Sequence, residues 1–156
     1  MTRDYKIELA GARDAHQIAL MSRDLIEHGL GWSWRDARVL RSIRSPNSNA
    51  PIIRVNGHVA AFGIMHYRDT EASLLLFAVR PEYWRKGMAT ALLDWLLETA
   101  LVAGIEVIQL EARVTNSAGR ALYESRGFEV VDTLRGYYEG RESAVRMELK
   151  VAATVG

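Results

Sequence analysis

A mixed α/β domain, built on a central mixed, mostly antiparallel sheet with flanking helices, is the fold class the sequence predicts. Three observations predict it. The dipeptide Asn56-Gly57 sits between two apolar-rich runs, the pattern of an antiparallel hairpin. An apolar run, a long amphipathic stretch and a second apolar run lie in sequence between Ala72 and Ala112. They read as strand, helix and strand, which pair in parallel through a right-handed crossover. The full order, β, α, α, β, β, β, α, β, α, β, β, contains no repeat, linker or low-complexity segment, and 156 residues suit a single domain spanning 1–156.

Tyr5 to Ala10, YKIELA, alternates as a short strand, and Gly11 leads into a helical stretch from about Arg13 to His28 with Ile18, Leu25 and Ile26 among its apolar positions. GLGWSW breaks that helix. Ser33 is the expected N-cap of a shorter second helix, WRDARVLRSI, which the polar, proline-containing SPNSNAP stops. IIRV and HVAAFGIMHY are the hairpin strands, and a turn at Arg68 to Thr70 leads into EASLLLFAV. Its unbroken apolar run from Leu74 to Val79 implies a strand covered on both faces, hence a central one. A helix from about Gly87 to Val102 ends at Gly104, a natural C′ residue, and IEVIQLEA follows as another buried strand. TNSAGRALYESRGF is a compact helix capped at Thr115 or Asn116 and stopped by Gly127; FEVVDTL and AVRMELKV form a closing pair joined through RGYYEGRES.

Composition narrows the function classes. Twenty Lys and Arg against nineteen Asp and Glu leave a formal charge of +1, so nothing in the balance points to nucleic acid or an anionic membrane. The absence of cysteine excludes disulfides, thiolate metal sites and a cysteine nucleophile, and fits a cytoplasmic chain. The start has no signal-peptide core, and no apolar stretch approaches the roughly 20 residues that span a bilayer. His16, His28, His58 and His66 are scattered without metal-ligand spacing, so no metal is expected. Arg35, Arg38, Arg41 and Arg44 recur along the second helix, a pattern usual for a solvated face.

The stretch VRPEYWRKGMATALL carries the chemistry. An apolar strand breaks at a proline, passes two cations and a glycine, and becomes a helix at once. The first backbone N–H groups of a helix lack intrahelical partners and the macrodipole adds roughly half a positive charge, so the turn is a socket for an anion such as phosphate. The donors belong to about Arg85 through Ala89; Gly87 and Ala89 keep the backbone approachable and Arg85 and Lys86 add charge. A P-loop would need Gly-Lys-Ser/Thr and a dinucleotide fold three spaced glycines; neither occurs. The plain alternative is an ordinary strand-to-helix connection with two solvated cations.

These residues resemble the acyl-CoA-binding segment of the GNAT superfamily of N-acetyltransferases, whose pattern Gln/Arg-x-x-Gly-x-Gly/Ala falls here on Trp84, Arg85, Lys86, Gly87, Met88 and Ala89, with Trp84 where Gln or Arg is usual. LEARVTNSAGRALYESRGFEVVDTLRGYY followed by GRESAVRMEL is similar to the second half of bacterial ribosomal-protein alanine N-acetyltransferases. The resemblance implies a GNAT fold in which the parallel fourth and fifth strands, Ala72 to Val79 and Ile105 to Ala112, splay apart to admit the pantetheine arm of acetyl-CoA. It implies cofactor contacts from Phe77, Ala78 and Val79 on the strand, from Arg85, Lys86, Gly87, Met88, Ala89 and Thr90 at the turn, and from Asn116, Gly119 and Tyr123.

Helical spacing independently puts Asn116, Gly119 and Tyr123 in one stripe, and a glycine inside a helix suggests that something lies close against the backbone. The chemistry implied is direct acyl transfer from acetyl-CoA to a primary amine: a backbone N–H near Phe77 to Val79 steadies the oxyanion and Tyr123 protonates the departing thiolate. Glu111 matches the family's proposed base. Its other reading is a strand-end carboxylate paired with Arg113 or Arg126, and Tyr123 could equally be a core tyrosine. Tyr137 and Tyr138 fall where the resembling enzymes line the acceptor groove, with hairpin packing as the rival reading; the loop after them is shorter than in those enzymes. Trp32 in GLGWSW forms either the opposite wall or ordinary core. The expectation is an N-acetyltransferase acting on a peptide or protein N-terminus, as monomer or homodimer; a small-amine acetyltransferase and a non-catalytic acyl-CoA-binding regulatory domain are the alternatives.

Overall fold

The computed structural model describes residues 5–151. Strands β1 (Ile7–Leu9), β2 (Ser48–Asn49), β3 (Pro51–Val55), β4 (His58–Arg68), β5 (Glu71–Val79), β6 (Val107–Arg113), β7 (Glu129–Tyr138) and β8 (Glu142–Lys150) form one 8-stranded sheet. Its order is β1-β3-β4-β5-β6-β8-β7, with β2 paired to β4 off that path. Helices α1 (Ala15–Met21), α2 (Asp36–Arg44), α3 (Met88–Val102) and α4 (Ser117–Ser125) complete the fold. The β5–β6 pairing is parallel and all others are antiparallel, as the crossover through α3 predicts. The hairpin at Asn56 (φ 51) and Gly57 (φ 79) has both central residues left-handed, the requirement of a type I′ turn.

Several elements differ from expectation. The first helix is α-helical only over Ala15–Met21 and widens into a π turn over Ser22–Ile26. There the Glu27 N–H reaches the Ser22 carbonyl at 2.7 Å while the Ser22 hydroxyl donates to the Glu27 carboxylate at 2.8 Å. Ser33 is not the N-cap of α2. Its N–H and hydroxyl are both given to Glu27, and Arg35 holds the cap position with no side-chain bond. Finally, RGYY belongs to β7, so Tyr137 and Tyr138 are strand residues and the turn is confined to Glu139–Arg141; part of SPNSNAP likewise pairs as β2, and Pro51 opens β3.

The feature that positions the site is a bulge in β5. Ile64 and Met65 are consecutive on β4, yet they oppose Leu76 and Leu74, which leaves Leu75 without a partner. One extra residue moves later side chains to the other face of a sheet. Ala72 and Leu74 accordingly pack in the core shared with α3 and α4, whereas Leu76 and Ala78 join the core beneath α1 and α2. Phe77 and Val79 take the α3 side. The parallel pairing with β6 ends at the same place, at Leu74↔Leu110. Beyond it the two strands have no common rung: β5 continues on β4 alone and β6 on β8 alone.

Candidate active site

The gap between the parted strands opens into a cavity of about 600 Å³. Leu74 to Phe77 line one side, Leu110 to Arg113 the other; the α1–α2 corner from Leu25 to Trp34, the start of α4 and Tyr137 to Glu139 close it. The Arg80 N–H bonds the Ala60 carbonyl of β4 at 2.9 Å, so by strand alternation the main-chain groups of Val79 and Phe77 face away from β4, toward the gap. The Trp84 indole N–H donates to the Val79 carbonyl at 2.8 Å, on that open side.

Asn116 caps α4: its side-chain oxygen accepts from the Gly119 N–H at 3.0 Å. A Cβ on residue 119 would lie 2.4 Å from the Asn116 amide nitrogen, so the glycine expected to admit a close neighbour admits the cap itself. One helical turn on, Tyr123 is 7% exposed and packs edge-on against Phe77 and Phe128. It lines the cavity, and its hydroxyl has no hydrogen-bond partner among the described residues. Burial, then the neighbouring Tyr138, pushes this phenol well above its ordinary range, so it is protonated at every physiological pH.

Glu111 lines the same cavity. Its Oε1 accepts from the Tyr137 hydroxyl at 3.1 Å and its Oε2 lies 3.6 Å from Arg146 Nε, directly opposite on β8. The arginines expected as structural partners are engaged elsewhere: Arg126 grips Asp94 at 2.6 Å, and Arg113 faces Glu142 at 3.7 Å and donates to the His28 carbonyl at 2.7 Å. Tyr138 packs edge-on to Tyr137, and burial, Tyr137 and Glu111 push it up to about 12.

The turn before α3 lies outside this cavity, past the end of β5. Arg85 (φ 63) and Gly87 (φ 84) are both left-handed, and no side chain caps the helix. The amides of Arg85 through Thr90 have no acceptor among the described residues; the first bond into the helix is Ala91 N–H to the Gly87 carbonyl at 3.0 Å. The Tyr5 hydroxyl pins the loop by donating to the Lys86 carbonyl. A run of amides with no partner, two left-handed residues and an adjacent lysine and arginine fit a diphosphate.

The α1–α2 corner supplies residues that sequence reasoning missed. The buried Glu27 accepts from the Ser22 hydroxyl (2.8 Å), the Ser33 N–H (2.8 Å) and hydroxyl (2.6 Å) and the Trp34 N–H (3.2 Å). Burial alone would raise its carboxyl, but these donors outweigh burial and lower it. The corner is thereby fixed from inside. Trp32 is not brought to the cavity: its indole N–H goes to the Ala19 and Trp34 carbonyls (3.1 and 3.0 Å), and Arg35 lies 4.5 Å over its ring. Trp34 lines the cavity instead. An acidic residue between serines was the one visible signal for Glu27; Arg146 and Glu139 depend on long-range register and had none.

The sheet parts behind a bulge, near a helix start bare of caps and a cavity that Tyr123 lines, and comparison assigns the family. The model of the Acetyltransferase (GNAT) family matches residues 17–128, and the chain belongs to that family. It is an acetyltransferase. Over 100 residues it is 41% identical to the [Ribosomal protein bS18]-alanine N-acetyltransferase of Escherichia coli (strain K12), covering 62% of this chain and 68% of the relative. The crystal structure of the ribosomal-protein-S18-alanine N-acetyltransferase from Escherichia coli superposes with a TM-score of 0.78 at 31% identity, over 95% of this chain and 94% of that one. A putative acetyltransferase from Salmonella typhimurium, solved with its cofactor acetyl-CoA, shares the fold with a TM-score of 0.81 at 19% identity, over 99% and 98% of the two chains. Among the described residues no helix is long and apolar enough to cross a membrane.

Proposed function

We propose that the chain transfers the acetyl group of acetyl-CoA directly to the α-amine of a peptide or protein N-terminus. The observation that carries this reading is the placement of an unpartnered Tyr123 hydroxyl and the Glu111 carboxylate in one cavity, at the mouth of the gap between β5 and β6. When bound, acetyl-CoA supplies the thioester carbonyl that the amine attacks. The amides of Arg85 to Thr90 would hold its diphosphate, and the Asn116 side-chain nitrogen, the Phe77 main chain and the Val79 N–H would orient its arm. The gap-side N–H groups of Phe77 and Val79 would offer hydrogen bonds to the developing charge on the acyl oxygen. Tyr123, held protonated by burial, keeps its proton for the leaving sulfur. Glu111, directly or through water, takes the proton of the incoming amine.

An N-terminal acceptor suits this site. An α-amino group has a reference pKa near 8, against about 10.4 for lysine, so it asks less of a base. The Escherichia coli relative is named for N-acetylation of an alanine of ribosomal protein bS18, which makes an N-terminal alanine the first acceptor to try. Thiol release from acetyl-CoA, measured over peptides and small amines, tests the proposal. Release with N-terminal peptides supports it; release with polyamines or amino acids alone moves the acceptor to small amines; cofactor binding without release leaves a non-catalytic acyl-CoA-binding domain.

A further inference from the structure

The α1–α2 corner meets the opposite wall of the cavity at two points. One is anchored deep: Arg113, whose side chain is 11% exposed, holds the His28 carbonyl while facing Glu142. The other is a strap between two loop tips. The Gly31 N–H donates to Glu139 Oε2 at 2.6 Å, and the Glu139 side chain is 43% exposed.

Both ends are shaped for this bond. Glu139 is itself left-handed (φ 56) and lies between Gly136 (φ 64) and Gly140 (φ 71), which turn the hairpin tip sharply. A Cβ on residue 31 would sit 3.2 Å from Glu139 Oε2, so a side chain there would press on the carboxylate. Arg141 holds the other carboxylate oxygen. The Gly31 N–H and Arg141 keep the carboxyl below its ordinary range, so the strap stays charge-assisted at neutral pH. Gly31 and Glu139 both line the cavity, next to Leu30, Trp34, Tyr137 and Tyr138. Glu27 fastens the corner from inside, and the Gly31–Glu139 bond fixes how close the hairpin tip stands to it.

We infer that Glu139 is a specificity-determining residue: by holding the β7–β8 tip against Gly31 it sets the width of the acceptor slot and excludes amines with a bulky group beside the nitrogen. The inference rests on the acyl-transfer reading above. The turn Glu139–Arg141 reaches the corner with this one carboxylate.

The test compares wild type, Glu139→Ala and Glu139→Gln. Amide hydrogen exchange at Gly31 reads the strap; kcat/KM for tetrapeptides starting with Ala or Phe, and for propylamine or benzylamine, reads the selectivity. Glu139→Ala should speed Gly31 exchange and raise bulky-acceptor use relative to the small acceptor by roughly tenfold. Glu139→Gln, which can still accept the bond but loses the charge and the Arg141 ion pair, should fall between wild type and Glu139→Ala in both readouts, and the dissociation constant for acetyl-CoA should not change in either variant. Unaltered Gly31 exchange in Glu139→Ala overturns the strap, and altered exchange with an unchanged acceptor ratio overturns its role in selection. Absence of thiol release with every amine removes both the acyl-transfer reading and this selection, whereas loss of selectivity alone leaves the transfer reading intact.

Discussion

Leu74 and Leu110 form the last rung shared by β5 and β6, and the next residue, Leu75, is the one that β4 leaves unmatched. The coincidence explains the gap. A bulge bends its strand and increases the local twist, so β5 turns away at the point where β6 continues along β8. The parting leaves the Phe77 main chain and the Val79 N–H without a neighbouring strand, while the Val79 carbonyl is taken by the Trp84 indole.

Tyr123→Phe removes only a hydroxyl that has no hydrogen-bond partner among the described residues. Stability should therefore change by less than about 0.5 kcal/mol, while kcat falls by roughly 10² or more and the acetyl-CoA dissociation constant stays put. Thermal melts, calorimetry and thiol release read the three quantities. Unchanged turnover would return Tyr123 to the core as a packing residue.

Glu111→Gln separates base from strut. As a base, Glu111 matters least when the amine has already lost its proton, so the loss in kcat/KM should be roughly 10²-fold near pH 7 and shrink toward the acceptor's own pKa. A loss of equal size at every pH would instead assign Glu111 to holding Tyr137 and Arg146 in place.

Acid should weaken the fold through two carboxylates. Asp14 is 1% exposed and receives both terminal nitrogens of Arg54, at 3.0 and 3.1 Å, and Glu27 receives four donors. Burial opposes ionisation in each, yet the bonds win and both carboxyls are lowered. A lowered folded-state value means that the unfolded chain binds protons first, so the stabilisation is complete above the ordinary range of about 4 to 4.5 and drains away as pH falls below it. Glu27→Ala should cost about 3 kcal/mol at pH 7 and flatten the acid limb of a stability-versus-pH curve; an unchanged limb would show that the corner contributes nothing to it.

Much of this was legible because it was local. Asn56-Gly57 wrote the hairpin, Gly104 and Gly127 ended their helices, and Asn116, Gly119 and Tyr123 fell in one stripe by helical period alone. What stayed hidden depends on contacts between distant segments. The alternation of EASLLLFAV cannot show a bulge, since the run from Leu74 to Val79 is apolar throughout and fits either face. Arg146 meets Glu111 only through the β6–β8 register, and Ser33 reads as a cap until Glu27 is seen to claim both of its donors.

Gly87 offers the most direct test of the socket. Its φ of 84 is one that L-residues adopt at a cost of roughly 1–2 kcal/mol, and a Cβ there would meet only the Tyr5 ring, at 3.9 Å. Sterics therefore do not forbid Gly87→Ala, and the strain has two outlets: lower stability, or a loop that turns its amides away from the ligand. The second is expected to dominate, because among the described residues Tyr5 makes the only side-chain hydrogen bond to residues 85–87, while the helix beyond is well packed through Met88 and Leu92. Acetyl-CoA affinity should then fall by about tenfold, equivalent to about 1.4 kcal/mol, with a smaller loss for an acetylated pantetheine that lacks the diphosphate. Equal losses for the two ligands would mean that the amides do not grip a diphosphate, and undiminished affinity would move the cofactor's anchor elsewhere.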